Sequence, residues 1–430
     1  MIYGGSSVLK SCGIKVYSSI LILLIVVLLF SSFLFLNPNK IYGDDQKASY
    51  NDKIEISAES AVILNYDTGD ILWEKNSSSS MYPASTTKIL SSIVAIENIN
   101  DLDQVVEISK NASGRNHSAF RFRTGDRISL MDLCRASLIC SHNNATIALA
   151  EYVSGSVEDF VELMNKKAEE IGAENSFFKN TNGLDDEFPD HRSTARDMAI
   201  IASYCMENEI FKEIVNTRED TIIKNDQEIE ITNTNNLLDY DSIKGVKTGY
   251  TNNAGYCIVL YSEKNDLRLI TVILNSISLE ERDKDALKLL NWTYGNLKYV
   301  KIIDSHQAAA TTTIKDKAEL NLDLYPESDY VELININDDQ IEIKQNSYSD
   351  INLPVEKEDI LGTIDIFING QKIKELNMIS RESVEDAYVY QELSSDRELR
   401  TRFIIIIILV FYFLAILFII IRNLFIKKMI

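Results

Sequence analysis

Nineteen consecutive residues near the end of the chain, Phe403 to Ile421, carry no charge and consist almost wholly of Ile, Leu, Phe and Val. At about 1.5 Å of rise per residue, a helix of that length matches the ~30 Å hydrocarbon layer of a bilayer. A helix packed on one side of a water-soluble core keeps a polar stripe, and this run has none. It is therefore expected to be a transmembrane helix, which confines globular structure to the residues before it. A second apolar stretch, Ile20 to Leu36, is interrupted only by Ser31 and Ser32 and follows Lys10 and Lys15. That pattern is a signal sequence or a signal anchor, and no clear A-x-A cleavage site decides between them. Basic residues flank both segments on both sides (Arg397, Arg400 and Arg402 before the second, Arg422, Lys427 and Lys428 after it), so the positive-inside rule sets no orientation.

The 430 residues leave room for two or three folding units, and a 45% apolar share with 25% charged residues suits chains with a true core. A net charge of -21 excludes nucleic acid as a partner, because nothing would release counterions from a phosphate backbone. The four histidines form no H-E-x-x-H and, with the five cysteines, show no zinc-ligand spacing, which argues against a metal hydrolase. None of those histidines accompanies a G-x-S-x-G serine either. The cysteines are odd in number and scattered, so those in the globular part read as buried core thiols.

Polar residues from Asn37 to about Lys53 form a linker. Ala61-Val-Ile-Leu and Ile71-Leu-Trp then flank Asp67-Thr-Gly-Asp, a hairpin signal. Helical spacing of apolar residues follows over Thr86 to Asn98, Leu130 to Val153, Val157 to Ile171 and Thr194 to Asn208. Strands return at Ser242 to Thr251, Tyr256 to Tyr261 and Leu267 to Leu274, before a helix from Leu279 to Leu297. Strands at both ends with helices between predict one antiparallel sheet flanked by helices, an α+β unit. From Lys301 to Met378 short alternating strands predict a small all-β domain. The expected organisation is thus 1–54 signal or anchor and linker, 55–299 the α+β domain, 300–379 the β domain, 380–402 a charged stalk, 403–421 the membrane helix and 422–430 a basic tail.

Three short motifs carry chemistry. Pro83-Ala-Ser-Thr-Thr-Lys88 opens a helix, which puts Ser85 and Lys88 on one face a turn apart. A lysine desolvated there loses basicity and can take the proton of a serine nucleophile, while the helix N-terminus favours developing negative charge. Alone, the spacing is common, and Ser85 would also serve as an N-cap. Ser141-His-Asn143 sets a hydroxyl and an amide two apart inside an otherwise apolar helical stretch, or marks a polar break in it. Lys247-Thr248-Gly249, followed by Tyr250, offers a cation and a hydroxyl on a strand whose glycine admits close backbone approach. That set would suit a carboxylate ligand, although the tripeptide alone fits a surface turn as well.

Taken in order, S-x-x-K, S-x-N and K-T-G are the signature set of penicillin-binding proteins and class A β-lactamases. With Ser60-Ala-Val-Ile-Leu-Asn-Tyr-Asp-Thr-Gly, Phe160-Val-Glu-Leu-Met-Asn and Asn180-Thr-Asn-Gly-Leu, the chain closely resembles the low-molecular-mass penicillin-binding proteins that act as serine D-alanyl-D-alanine carboxypeptidases, over about residues 55 to 378. The resemblance implies a penicillin-binding/β-lactamase-like transpeptidase fold, no cofactor, peptidoglycan stem peptides as substrate and β-lactams as covalent inhibitors, on the outer side of a bacterial cell membrane. It implies Ser85 as nucleophile and Lys88 as base, with the backbone N–H groups of Ser85 and Tyr250 as oxyanion hole. Ser141 would relay a proton to the leaving amine while Asn143 orients Lys88. Lys247 and Thr248 would hold the terminal carboxylate, with Arg282 near it, though a surface ion pair also suits Arg282.

Two departures stand out. The family usually has glycine and aspartate where this chain has His142 and Asn144, which is expected to add bulk at the cleft edge. The C-terminal segment spans, where many relatives carry an amphipathic surface helix. Three other readings share these residues: a D,D-endopeptidase, a silent wall-binding scaffold, and a β-lactamase. The last would need a deacylating glutamate, for which Glu169, Glu170 and Glu174 are poorly placed.

Overall fold

The computed structural model describes residues 54–114, 120–186, 188–314, 317–348, 351–385, 400–410 and 412–414. The chain divides into two compact units at 296/297, where the sequence pattern suggested 299/300. In the first unit, β1 (Ser60–Asn65) and β2 (Ile71–Lys75) come from the N-terminal end. They join three strands from the other end of the unit in one antiparallel sheet of order β2-β1-β9-β8-β7, with β7 at Ile243–Thr251, β8 at Gly255–Lys264 and β9 at Leu267–Ser276. Register runs from Ser60 opposite Leu274 to Asn65 opposite Leu269. β1 is buried at every position. That is the mark of a strand covered on both faces, and it explains an apolar run where a half-exposed strand would alternate.

On one face Val62, Leu64, Val259 and Val272 share an apolar cluster with helices α1 (Lys88–Asn98) and α5 (Ala195–Cys205). On the other, Ala61, Ile63, Ile258 and Ile273 are equally buried, and α7 (Leu279–Asn296) packs against β8 and β9. Every residue of α1 from Lys88 to Ile96 is buried. A helix enclosed on all sides has no solvent to satisfy its polar groups, so a lysine at its first position calls for a specific reason.

The helix expected over Leu130 to Val153 is in fact two, α2 (Leu130–Leu138) and α3 (Asn143–Ser154). Ser129 caps α2 by accepting from Asp132 N at 3.0 Å, and Gly155 closes α3 in the left-handed region at φ 79°. Between them Ser141 takes φ 60°, which no helix accommodates. α4 spans Val157–Glu170 as expected, whereas the helix from Thr194 stops at Cys205. A further short helix, α6 (Glu209–Asn216), then starts at an Asn208 cap. A second sheet went unread in the sequence: β3 (Val105–Glu107), β4 (Arg127–Ser129), β5 (Glu219–Lys224) and β6 (Gln227–Thr232), in that order.

The second unit is all-β. Strands β11 (Ala310–Ile314), β12 (Lys317–Pro326), β14 (Ile341–Ser347), β15 (Ile360–Ile368) and β16 (Gln371–Ser380) form a sheet of order β11-β12-β16-β15-β14. β10 (Leu297–Ile303) pairs with β13 (Tyr330–Asn335). Ile364 and Ile366 turn inward with Leu324, Leu376 and Met378, the period-two pattern of a one-sided core. Residues 400–410 are helical. Among the described residues no helix is long and apolar enough to cross a membrane. The expected span continues through residue 411 and residues 415–421, and the N-terminal apolar stretch lies in 1–53, all outside the described residues.

Candidate active site

Ser85 lies on a 3-10 turn, Ala84–Thr87, that runs directly into α1 at Lys88. No side chain caps this turn, so Ser85 Oγ is not spent as an N-cap. The three-residue spacing brings Lys88 Nζ to 2.7 Å from Ser85 Oγ. Nζ also lies 2.6 Å from Asn143 Oδ1 and 2.8 Å from the Asn182 carbonyl oxygen. These partners are all neutral oxygens, and a fully buried ammonium gains too little from them to offset its lost hydration. Burial therefore holds the Lys88 amine well below its ordinary range, and the charge of Lys247 pushes the same way. A neutral amine at hydrogen-bond distance from a half-buried hydroxyl can accept its proton.

Asn143, the first residue of α3, supplies its amide oxygen to Lys88. Ser141 sits half-buried in the turn between α2 and α3; among the described residues no hydrogen bond joins its Oγ to Ser85, Lys88 or Lys247. His142 corrects an expectation. It does not stand at the cleft edge but is buried, its ring 4.6 and 4.4 Å from the Phe120 and Phe122 centroids, with Nε2 3.0 Å from the Phe120 carbonyl oxygen. Burial pushes its imidazole down to about 4, against the contrary pull of that hydrogen bond. The amide of Asn144 donates to Ala112 O at 2.8 Å, so both departures from the family pattern tie the motif to the segment before α2.

Lys247, Thr248 and Gly249 lie on β7, the edge strand of the sheet. A Cβ on Gly249 would come within 3.0 Å of Ser85 N and 3.1 Å of Ala84 Cβ. Glycine is thus what lets this edge approach the backbone N–H of the serine. Far from being a surface lysine, Lys247 is 1% exposed; its Nζ donates to Thr248 O at 3.0 Å and to Thr234 Oγ1 at 3.3 Å. Burial pulls it down to about 7; the Cys140 thiol opposes the fall and the charge of Arg282 adds to it. Arg282 is likewise buried rather than superficial, and donates through Nε and Nη2 to Asp283 Oδ1 at 2.8 and 2.6 Å. Tyr250 is exposed and packs on Tyr256, centroids 4.4 Å apart.

Three residues shape the site without having been given a role in the sequence, although Asn182 and Gly183 lie in the family-like segment Asn180-Thr-Asn-Gly-Leu. Asn182 contributes a carbonyl, which no side-chain pattern announces. Gly183 takes φ 87°, and a Cβ there would fall 1.7 Å from Ala84 O; the Asn-Gly pair was the available sign of this tight turn. Thr234 accepts from Thr248 Oγ1 at 2.7 Å and belongs to no motif. The four cysteines among the described residues, Cys134, Cys140, Cys205 and Cys257, are buried and unpaired.

The arrangement has clear relatives. Residues 45–278 match the D-alanyl-D-alanine carboxypeptidase family, and residues 297–386 match the C-terminal domain of penicillin-binding protein 5. D-alanyl-D-alanine carboxypeptidase DacF of Bacillus subtilis is 31% identical over 77% of this chain and 86% of its own length. DacC of Escherichia coli is 31% identical over 83% of this chain and 90% of its own length. Among solved structures, penicillin-binding protein 5 from Haemophilus influenzae superposes with a TM-score of 0.58 at 29% identity, covering 78% of this chain and 99% of that one.

Proposed function

Because the chain belongs to the D-alanyl-D-alanine carboxypeptidase family and is a serine-type D,D-carboxypeptidase, we propose that Ser85 is its nucleophile and Lys88 its base. The observation that carries this assignment is a buried, uncharged-partner lysine with Nζ 2.7 Å from the serine oxygen. Ser85 Oγ attacks the carbonyl between the two terminal D-alanines of a peptidoglycan stem peptide as its proton passes to Lys88. The oxyanion forms against the backbone N–H groups of Ser85 and Tyr250, an electrostatic stabilisation aimed at charge that exists only along the reaction. The proton returns through Ser141 to the leaving nitrogen, free D-alanine departs, and water cleaves the ester to restore Ser85. Asn143 keeps Lys88 oriented. Lys247 and Thr248, with Arg282 behind them, hold the terminal carboxylate. A β-lactam presents its strained amide to the same serine and leaves slowly.

We further assign Phe403 to Ile421 as a membrane anchor and Ile20 to Leu36 as the signal or first anchor, with the catalytic unit outside the cell membrane. The length and uniform apolarity of the two segments support this. D-alanine release from a peptide ending in Lys-D-Ala-D-Ala by the detergent-purified full-length chain, beside Ser85→Ala, tests the chemistry. Release that persists in Ser85→Ala, or no release from folded wild type, would overturn the assignment. Failure of the full-length chain to sediment with membranes would remove the anchor.

A further inference from the structure

His191 is fully buried, and the chemistry assigned to the site gives it no part. A backbone N–H can only donate, so the bond from Lys179 N to His191 Nδ1 at 3.0 Å fixes Nδ1 as an acceptor. Burial pushes the imidazole down to about 4, with positive charge on Lys88 or Arg192 adding to the effect, so the ring is neutral at pH 7. Its one ring proton is then on Nε2, which lies 2.9 Å from Thr87 Oγ1 and donates to it.

These two bonds reach two different walls of the Lys88 site. Thr87 ends the 3-10 turn that carries Ser85 and immediately precedes Lys88. Lys179 begins the segment that, three residues on, presents the Asn182 carbonyl oxygen to Lys88 Nζ at 2.8 Å. That segment is stiffened within itself, because Asn180 Oδ1 accepts from Asn182 N at 3.2 Å and from Gly183 N at 2.7 Å. A displacement at Lys179 is therefore carried to Asn182. Two of the three oxygens around Lys88 Nζ, those of Ser85 and Asn182, thus take their separation from one ring. The backbone at His191 is held independently of the ring. Arg192 and Phe177 exchange backbone bonds of 2.9 and 2.8 Å, and Ser193 and Met81 exchange bonds of 2.9 and 2.7 Å. An apolar side chain would fill the space beside Phe178, whose ring centroid is 5.6 Å away, and these segments would still be joined. What only the imidazole adds is an acceptor on one edge and a donor on the other.

We infer that His191 is a positioning residue for proton transfer from Ser85 to Lys88, spacing the nucleophile turn and the Asn182 carbonyl through its two ring nitrogens. It acts through Thr87 and Lys179. The inference rests on the reading of Ser85 as nucleophile and Lys88 as base.

The test is the second-order rate constant for acylation by a fluorescent penicillin, expressed per titratable serine, in the detergent-purified full-length chain. Loss of fold lowers the number of titratable sites, whereas a misplaced base slows each site that remains. Asparagine keeps an acceptor at the Nδ1 position and loses the reach to Thr87; glutamine keeps that reach and loses the acceptor. His191→Asn, His191→Gln and Thr87→Val are each expected to slow acylation per site about tenfold, while Thr87→Ser stays within about threefold of wild type. His191→Asn combined with Thr87→Val should be no slower than the slower single variant, because both remove the same bond. Wild-type rates per site in the His191 variants, with only the number of sites reduced, would make the ring a support for the fold and overturn the inference. A double variant whose loss is the product of the single losses would overturn the link to Thr87, and a wild-type rate in His191→Gln would overturn the arm to Lys179. Labelling that survives Ser85→Ala would instead sink the serine assignment, and this inference with it. Should His191→Asn fail to fold, the contrast between Thr87→Val and Thr87→Ser decides the same question.

Discussion

Gly183 and Gly172 adopt the same φ of 87°, which makes them a matched pair. An alanine at either site meets the same conformational penalty, about 1–2 kcal/mol for an L-residue in the left-handed region. They differ in what surrounds the new methyl group. At Gly172 nothing lies within 4 Å, whereas at Gly183 the Cβ would fall 1.7 Å from Ala84 O, 2.3 Å from Ala84 C and 2.9 Å from Thr87 Oγ1. Two of those atoms are backbone and cannot rotate away, so Gly183→Ala must move the peptide joining Ala84 to Ser85. Overpacking of this kind costs roughly 1–3 kcal/mol more. The same shift displaces the Ser85 N–H and, through the adjacent Asn182 carbonyl, the Lys88 amine. Misplacement by about 1 Å at a reacting centre slows chemistry on the order of 100-fold. Urea unfolding followed by tryptophan emission reads the first unit alone, because both tryptophans, Trp73 and Trp292, lie in it. The rate of acylation by a fluorescent penicillin reads the serine. Gly172→Ala should lose about 1–2 kcal/mol with acylation intact, and Gly183→Ala about 2–5 kcal/mol with acylation slowed about 100-fold. If the two variants behave alike in both assays, the close packing of this turn against Ser85 has no part in positioning the nucleophile.

Lys247, pulled down to about 7 in the free enzyme, should lose its proton as pH rises through that value, so kcat/KM on a D-Ala-D-Ala peptide is expected to fall above about pH 7. An amide-terminated peptide, having no carboxylate to pair with it, should show no such limb; identical profiles for both substrates would refute the pairing. His142 and His191 are each pushed down to about 4 from 6.5, chiefly by burial, so between these values the unfolded chain holds a proton that the folded one rejects. Stability is therefore complete above about pH 6.5 and drains away as pH falls toward 4, by about 3 kcal/mol per histidine. A His142→Gln variant should show a shallower decline of the urea midpoint over that range, and an unchanged slope would contradict the assignment. Asp285 is buried and accepts from Ser57 N at 3.1 Å, Ser57 Oγ at 2.8 Å and Ala58 N at 2.9 Å. Asp285→Ala leaves the buried Ala58 N–H and the half-buried Ser57 N–H unpaired and should cost about 2–3 kcal/mol, with new proteolytic cleavage near residue 57 as the local sign.

How far the sequence could be read follows from the range of the forces involved. Ser85 and Lys88 were legible because a helix turn alone brings them together, and β1, β8 and β9 because strands buried on both faces need long apolar runs. The break at Ser141 was legible only as one of two readings of the polar Ser141-His-Asn143, since Leu130 to Val153 keeps its helical apolar spacing throughout, with no glycine or proline to mark a stop. Tertiary contacts enforce it: His142 N donates to Ala136 O at 2.9 Å while its ring is held by Phe120 and Phe122. In the second sheet, β3 and β4 stayed hidden because each is three residues long, too short for a period to register. The roles of Asn182 and Thr234 were illegible for a different reason: one lends a backbone carbonyl and the other a single hydroxyl, and neither demands a distinctive residue type.

The polarity of the site follows from the same residues. Lys88 and Lys247 are both buried, and among the described residues neither forms an ion pair with a carboxylate. Two buried cations without counter-charges would be expensive, and each lowers its cost by giving up its proton readily. On the proposed assignment the neutral form of Lys88 is the working form, because a base must arrive empty. On the same assignment the missing partner of Lys247 is the negative charge the substrate brings, which would restore the proton and its Coulombic hold at once. A carboxylate built into the protein beside Lys247 would stabilise the free enzyme and compete with the substrate for the same ammonium. The surroundings of Lys247 (a threonine hydroxyl, a backbone carbonyl and the charge of Arg282) supply no negative charge, as the proposed role in holding a peptide with a free C-terminus requires.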